Sequence, residues 1–557
     1  MIPRLVLLIA LFTAPARAFS QDQSGSQPPA PVSSGSSSIA GTVVDSATGT
    51  PVPRATVTTQ ISSDELIVVA ESNGSFRFEG IPPGKYRVYA TAPGYIREGL
   101  NQHGGFFTGV VVGPGIDSEH VVFHLHPQAV IHGRVTEDRG QPVRHAAVML
   151  YHVASESQPQ VSMVNGTQTD DLGEYRFAHL PAGAYFISVQ CNPWYAQTSP
   201  RFAARNSDSA SFERLGNGYT SAKIDSALDV VFPITFYPGV TDEHSASPLN
   251  LSSGDTQQAD ISLRAVPAVH LRVTNLPVNQ NGVPGVGASQ KIFGSLPAGI
   301  SMSVSQISPG EFEFAGLPPG DITFLLNSEE PNGPSRVLEA SVADGATLDA
   351  SRIPAPASVS GRVIFPPGSP EISDGNVILF MRDNNNASPA IPLRKDGSFS
   401  SSPMDPGSYR LLVQLSDSSG FIQKISASGA KLHGRELSIS AGAEVKLTIA
   451  LAEGTGQISG FAVLDGHSAP GAMVLLLPDL PENIDDDSRM DQSDSDGSFL
   501  LGSIVPGKYR LLAIQDGWNL DWRDSAVLKP YLTKALPLQI APNDSKKLTL
   551  EVHAKVK

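Results

Sequence analysis

Two short signatures recur in five copies along this chain, and they limit its fold more tightly than any other feature. The opening one reads Ile39-Ala-Gly-Thr-Val-Val44, Ile131-His-Gly-Arg-Val135, Val359-Ser-Gly-Arg-Val363 and Ile458-Ser-Gly-Phe-Ala-Val463. A degenerate version, Val269-His-Leu-Arg-Val273, opens the third unit. Apolar residues alternate with small or polar ones, which is the pattern of a strand with one buried face. The glycine predicts a bulge or the close approach of another backbone.

The second signature follows in every unit. It begins as Asn73-Gly-Ser-Phe-Arg-Phe78 with Ile81-Pro-Pro-Gly-Lys-Tyr-Arg-Val88. It returns as Gly173-Glu-Tyr-Arg-Phe177 with Leu180-Pro-Ala-Gly-Ala-Tyr-Phe186, and as Gly310-Glu-Phe-Glu-Phe314 with Leu317-Pro-Pro-Gly-Asp-Ile-Thr-Phe324. The last copies are Asp396-Gly-Ser-Phe399 with Pro406-Gly-Ser-Tyr-Arg-Leu411, and Asp496-Gly-Ser-Phe499 with Val505-Pro-Gly-Lys-Tyr-Arg-Leu511. The first glycine of each copy suits a turn at positive φ. Two aromatic rings then share a strand face, a Pro-Gly turn follows, and a second alternating strand begins. Gly84 is the turn glycine expected to resist a side chain if its φ is positive. A closing strand such as His120–Leu125, Ala259–Leu263 or Val445–Leu451 completes each unit.

Unit starts are spaced by roughly 90–140 residues, about one β-sandwich each. The 557 residues thus divide into 38–127, 128–265, 266–355, 356–453 and 454–557, with an insertion at about 194–240 in the second unit. The expected fold is all-β: a tandem array of about five Ig-like or prealbumin-like β-sandwich modules with nearly independent cores and short linkers. Gly (51) and Pro (45) suit many short strands joined by turns. Short helical turns are expected at most in the insertion or near Asp516–Ala526.

The N-terminus carries a processing pattern. Arg4 precedes the apolar run Leu5–Phe12, and Ala16-Arg-Ala18 follows. These are the charged, apolar and small-residue parts of a signal peptide, with cleavage expected after Ala18. Residues 19–37 read as a disordered Pro/Ser-rich linker. Export places the mature chain outside the cytoplasm, whether secreted, periplasmic or at the cell surface. No transmembrane segment is expected in the mature chain. The net charge of −15 excludes a nucleic-acid partner, which needs a basic footprint. Cys191 is the sole cysteine, so an intrachain disulfide is impossible, and it reads as a small buried hydrophobe.

The signatures resemble the carboxypeptidase regulatory-like family, with its transthyretin-like or prealbumin-like β-sandwich, and are similar to the B-type repeats of surface adhesins and to the starch-binding-like fold. Residues 38–126 match best, and 129–192 match over their core. The resemblance implies an accessory or scaffolding role without carboxypeptidase activity. Some adhesin repeats carry Lys–Asn cross-links, but their first-strand lysine is missing at Ser38–Val44 and Ala129–Val135. Such cross-links are not expected here.

Candidate chemistry is sparse, and no catalytic residue and no cofactor is expected. Asp485, Asp486, Asp487, Asp491, Asp494 and Asp496 are the best calcium candidates by composition. Asp496-Gly497 nevertheless aligns with the recurring turn, so a solvated acidic loop is expected instead of a metal site. His124 and His126 share a strand face near His120 and His132, and an exposed polar face is expected over a metal site. Gly466-His-Ser-Ala-Pro470 lacks the elbow context of a nucleophile, and Gly282-Val-Pro-Gly-Val-Gly287 lacks the features of a phosphate loop. Aromatic pairs outside the repeated strands, Phe106-Phe107 and Trp194-Tyr195, together with Trp518 and Trp522, suit either packing or sugar stacking. Trp194, Trp518 and Trp522 are the candidate carbohydrate contacts. The leading expectation is a non-catalytic structural, adhesive or protein-interaction scaffold whose partner is a protein or polysaccharide at the cell envelope. The alternative is an extracytoplasmic carbohydrate-binding protein.

Overall fold

The computed structural model describes residues 37–153, 161–197, 225–276, 285–294, 296–308, 310–326, 336–368, 375–381, 390–401, 403–415, 420–480 and 484–555. The signal-peptide reading and nearly all of the linker reading fall outside the described residues, as does 198–224 of the insertion. No described helix is long and apolar enough to cross a membrane.

The opening strand is the hinge of each module. In the first, Ser37–Asp45 pairs antiparallel with the aromatic strand Ser75–Ile81 and parallel with the closing strand Val121–Leu125. The same pairing recurs around Ala129–Glu137, Val269–Thr274, Ser358–Ile364 and Gly456–Leu464. A second set of strands faces this one. In the first module it runs Asp64–Val69, Thr56–Ile61, Val88–Thr91 and Glu98–Gly99. The signature residues fill the space between. Ile39, Val43, Phe76, Phe78, Val88 and Phe123 lie in one buried cluster. Ile131, Val135, Tyr175, Phe177 and Tyr185 repeat it in the second module, and Val359, Phe399, Tyr409 and Leu411 in the fourth. This is an all-β tandem series of sandwiches, as the spacing predicts.

The opening glycine is explained by the closing strand. A Cβ at Gly41 would sit 1.8 Å from the Val121 carbonyl oxygen. At Gly133, Gly361 and Gly460 the corresponding distances to the closing strand are 2.1, 2.2 and 1.9 Å. The third module departs in register. Leu271 pairs with Phe314 and Val273 with Phe312, whereas Ile39 pairs with Phe78 and Gly41 with Phe76. The position equivalent to Gly41 is therefore Val273, two residues beyond the alignment that the sequence pattern suggests. The closing strand there pairs over Thr347–Asp349 alone, against Arg272–Thr274.

The turn glycines also divide. Gly74, Gly173, Gly310, Gly397 and Gly497 all lie at φ between 77° and 83°. Gly84 is absent from the positive-φ residues, so the expectation of left-handed backbone there does not hold. A different contact recurs at that turn. The hydroxyl of Tyr86 donates to the carbonyl of Pro82 at 2.8 Å, and Tyr185, Tyr409 and Tyr509 donate to Pro181, Asp405 and Val505 at 2.9, 2.7 and 2.6 Å. Each tyrosine ring thus fills the core while its hydroxyl satisfies the turn.

The fifth module is the most elaborate. Strand Met473–Pro478 is buried on both faces, which explains the unbroken run Val474-Leu-Leu-Leu477. One face meets the sandwich core, and the other packs under helix Ser525–Leu532 through Leu528 and Tyr531. Asp524 caps that helix by accepting from the Ala526 N–H at 2.8 Å.

Two compact bodies result. One holds the first and fifth modules, and the other holds residues 128–453. Each module keeps its own core cluster, and the first and last modules dock on each other through their surfaces, a contact that the linear order of the modules does not announce. In the second body, Tyr151, Ile234, Phe236, Ile292 and Ala298 form a further apolar cluster between the second and third modules.

Candidate functional site

The most elaborate polar constellation lies where the first and fifth modules meet. On the first module the chain folds back through a Gly104-Gly105 turn, with His103 and Phe106 exchanging backbone hydrogen bonds of 2.7 and 3.1 Å. Gly104 adopts φ +60°, as a tight turn of this kind requires. His103 and Phe106 consequently flank the Trp518 ring of the fifth module. The imidazole stacks on the indole at 5.0 Å with planes 7° apart, and Phe106 lies at 5.4 Å. The Trp518 Nε1 donates to the Gly471 carbonyl at 3.0 Å.

Beside this clamp the acidic segment is buried. Gln492, Ser493 and Asp494 are at most 2% exposed. The Gln492 amide donates to the Asn101 carbonyl at 2.7 Å and the Thr108 hydroxyl at 2.9 Å. Asp494 accepts from the Gly109 N–H at 3.0 Å and lies 2.6 Å from Lys85 Nζ. The Val111 N–H donates to the Ser495 hydroxyl at 2.9 Å, and the Ser495 N–H to the Gly109 carbonyl at 2.9 Å. Gly109 permits this approach, since a Cβ would fall 2.8 Å from the Asp494 carboxylate and 2.7 Å from Lys85 Cε. Burial raises the Asp494 carboxyl to about 6, against the opposing pull of Lys85.

The solvated acidic loop expected from sequence is therefore corrected at Asp491 and Asp494, which the tertiary fold removes from water. The six carboxylates do not converge. Asp485 meets Arg523 at 3.1 Å, Asp491 accepts from the Leu500 N–H at 2.8 Å, and Asp496 accepts from the Ser498 N–H at 2.9 Å. Among the histidines, His120 Nδ1 is held by Asp117 at 2.7 Å and His126 Nδ1 by Glu98 at 2.8 Å, while His124 is exposed. Among the described residues no group of three or more His, Cys, Asp or Glu is placed to hold a metal ion. Cys191 is half-buried, and burial pushes its thiol up to about 12.

The three tryptophans separate. Trp194 is 90% exposed with Tyr195 edge-on at 5.7 Å. Trp518 has one face covered by His103, so it is not an open platform. Trp522 is half-buried in the cluster beneath helix Ser525–Leu532, with the Arg523 guanidinium 4.2 Å from its ring centre. Phe107 is buried against Tyr89 at 5.4 Å.

Sequence reasoning missed one polar group in the second body. His270 sits between Asp229 at 2.9 Å and Glu313 at 3.3 Å. Burial lowers its pKa, but the hydrogen bond and charge of Asp229, followed by those of Glu313, outweigh this, and the net shift is upward. No local motif announces such a trio, because its members come from three distant strands or loops.

The family model described as the carboxypeptidase regulatory-like domain matches residues 38–115 and 130–213. No curated protein matches the chain. Among solved structures the chain is similar to the Bacillus anthracis TIE protein, with 11% identity over 93% of this chain and 68% of that one and a TM-score of 0.15. It is also similar to a Streptococcal ancillary pilin, with 12% identity over 51% of this chain and 99% of that one and a TM-score of 0.18. A putative carbohydrate binding protein from Bacteroides uniformis matches at 13% identity over 27% of this chain and 87% of that one, with a TM-score of 0.13. The matched segments contain the buried aromatic pairs of the first two modules, so the carboxypeptidase regulatory-like family model is matched twice in tandem along this chain.

Proposed function

We propose that this protein is an exported, non-catalytic scaffold whose modules space and present surfaces to a protein partner at the cell envelope. The observation that carries this reading is the fate of the repeated residues. Phe76, Phe78, Tyr86, Tyr175, Phe177 and Tyr185 are all under 9% exposed. What recurs is core and turn architecture, and what varies is loop surface, which is the division of labour in a presenting scaffold. The module boundaries at 127, 265, 355 and 453 belong to the same proposal. The test is proximity labelling from the mature chain in its native envelope, run beside assays of the purified protein on ester, glycoside, phosphate and peptide substrates. A reproducible set of labelled envelope proteins with no turnover supports the scaffold. Turnover of any substrate class overturns it.

A second reading, carbohydrate binding, rests on Trp194, whose exposed indole beside Tyr195 offers a flat apolar face. Glycan-array binding by the wild-type chain that disappears in Trp194→Ala supports it. An array without signal removes it.

A further inference from the structure

We propose that the surface joining the first and fifth modules also joins separate copies of this chain, with the fifth module of one copy seated on the first module of another. The proposal goes beyond the scaffold reading, and a strictly monomeric scaffold fails this test while passing the other.

The two surfaces are unlike and complementary. The first module offers the Lys85 ammonium, the N–H groups of Gly109 and Val111, and the His103–Phe106 clamp. The fifth offers the Asp494 carboxylate, the Ser495 hydroxyl and the Trp518 indole. A contact between different patches is heterologous, and the same patches serve equally within a chain or between chains. Neither face carries both members of the ion pair, so a face docked on its own copy would leave the Lys85 ammonium or the Asp494 carboxylate without this counterion. The complementary occupant for either face is therefore the opposite end of another copy.

The contact is also separable. The apolar cluster of the first module runs from Ile39 to Leu125, and those of the fifth from Ile458 to Val552 and from Met473 to Ala535. They share no residue. Parting the modules breaks hydrogen bonds, an ion pair and an aromatic clamp, but opens neither sandwich core. Residues 128–453 intervene in sequence and form their own body, so the fifth module belongs to its own first module through a long connection. The intrachain contact then has a finite effective concentration, and another copy competes once protein concentration approaches it. The expected products are a closed monomer when dilute and an exchanged dimer when concentrated.

The experiment uses two full-length chains bearing different affinity tags. They are unfolded, mixed, refolded together over a range of protein concentrations, and passed through both affinity steps before light scattering. Mixed dimers whose yield rises with concentration are expected. Lys85→Glu, which places two carboxylates together in the junction, should cut that yield by about tenfold or more. The double variant His103→Ala, Phe106→Ala should do the same through loss of the clamp, and circular dichroism identifies any variant that fails to fold. The proposal is overturned if no mixed dimer forms at any concentration. It is equally overturned if mixed dimers persist undiminished in a folded variant, which would place the contact elsewhere.

Discussion

Lys85 Nζ lies 2.6 Å from Asp494 Oδ2, and this pair ties the turn strand of the first module to the acidic turn of the last. Asp494 is almost wholly buried while Lys85 keeps a quarter of its side chain in water. The carboxylate therefore bears most of the desolvation, which is why its pKa rises to about 6 despite the neighbouring cation.

That shift predicts a pH dependence. The folded chain keeps this proton to a higher pH than the unfolded chain, whose carboxyl titrates near 3.8. The group's contribution to stability is full below 3.8 and is lost as pH rises through about 6. The loss is on the order of 3 kcal/mol. Urea unfolding of the full chain between these pH values should show a transition whose midpoint falls as pH rises. Asp494→Asn, which keeps an acceptor for Gly109, should flatten that slope. An equally steep slope in the variant would assign it to another group.

Gly41→Ala should disrupt the first module, because its Cβ would lie 1.8 Å from the Val121 carbonyl oxygen. The strands must part or the closing strand must slip, at a cost of about 3 kcal/mol or more, as for other overpacked sites. Gly49→Ala is the control. Unlike Gly41 it sits at positive φ, and a Cβ there meets nothing within 4 Å, so only a backbone term of about 1 kcal/mol applies. Hydrogen exchange of Val121–Leu125 should accelerate in the first variant and barely change in the second.

Tyr86→Phe should cost about 1 kcal/mol by leaving the Pro82 carbonyl without its 2.8 Å hydroxyl partner. Tyr86→Ala also removes the ring from the core and should cost about 3–5 kcal/mol. Chemical denaturation followed at the first module separates the two. Equal losses would mean that the hydroxyl contributes the whole effect.

The raised pKa of His270 has its own pH signature in the second body. Its contribution is full below the ordinary histidine value of 6.5 and is lost as pH rises through the higher folded value. Protection of Val269–Thr274 from hydrogen exchange, corrected for intrinsic rates, should fall over that range. His270→Gln should remove the dependence. A variant with the same profile as the wild type would clear His270 of the role.

Much of the fold was legible because it rests on local repetition. The alternation in Ile39–Val44 and the paired rings Phe76 and Phe78 identify half-buried strands whichever partner covers them. The recurring aromatic spacing marks cores, and the structure buries those rings in every module. The third opening strand pairs two residues beyond the alignment its sequence pattern suggests, because Val269-His-Leu-Arg-Val273 fits the apolar alternation in either of two registers. Pairing of Val273 with Phe312 chooses between them. The tyrosine hydroxyls escaped notice because their acceptors are backbone carbonyls, which leave no trace in residue type.

The sequence by itself determined what depends on neighbours along the chain: strand periodicity, positive-φ turn glycines such as Gly74 and Gly497, and the apolar faces that must be buried. Only the tertiary structure decided which exposed-looking residues would lose their water. Trp518 and Asp494 read as a loop aromatic and a solvated acid, and both are covered by residues of the first module, His103 and Phe106 on the indole and Lys85 and Gly109 on the carboxylate. Trp194, read in the same way, stays 90% exposed. The physical reason is that hydrophobic alternation specifies a face to be buried within one sandwich, whereas docking of the first module on the fifth is specified by a few polar atoms, one aromatic clamp and their geometry. Those atoms become complementary only after both modules have folded.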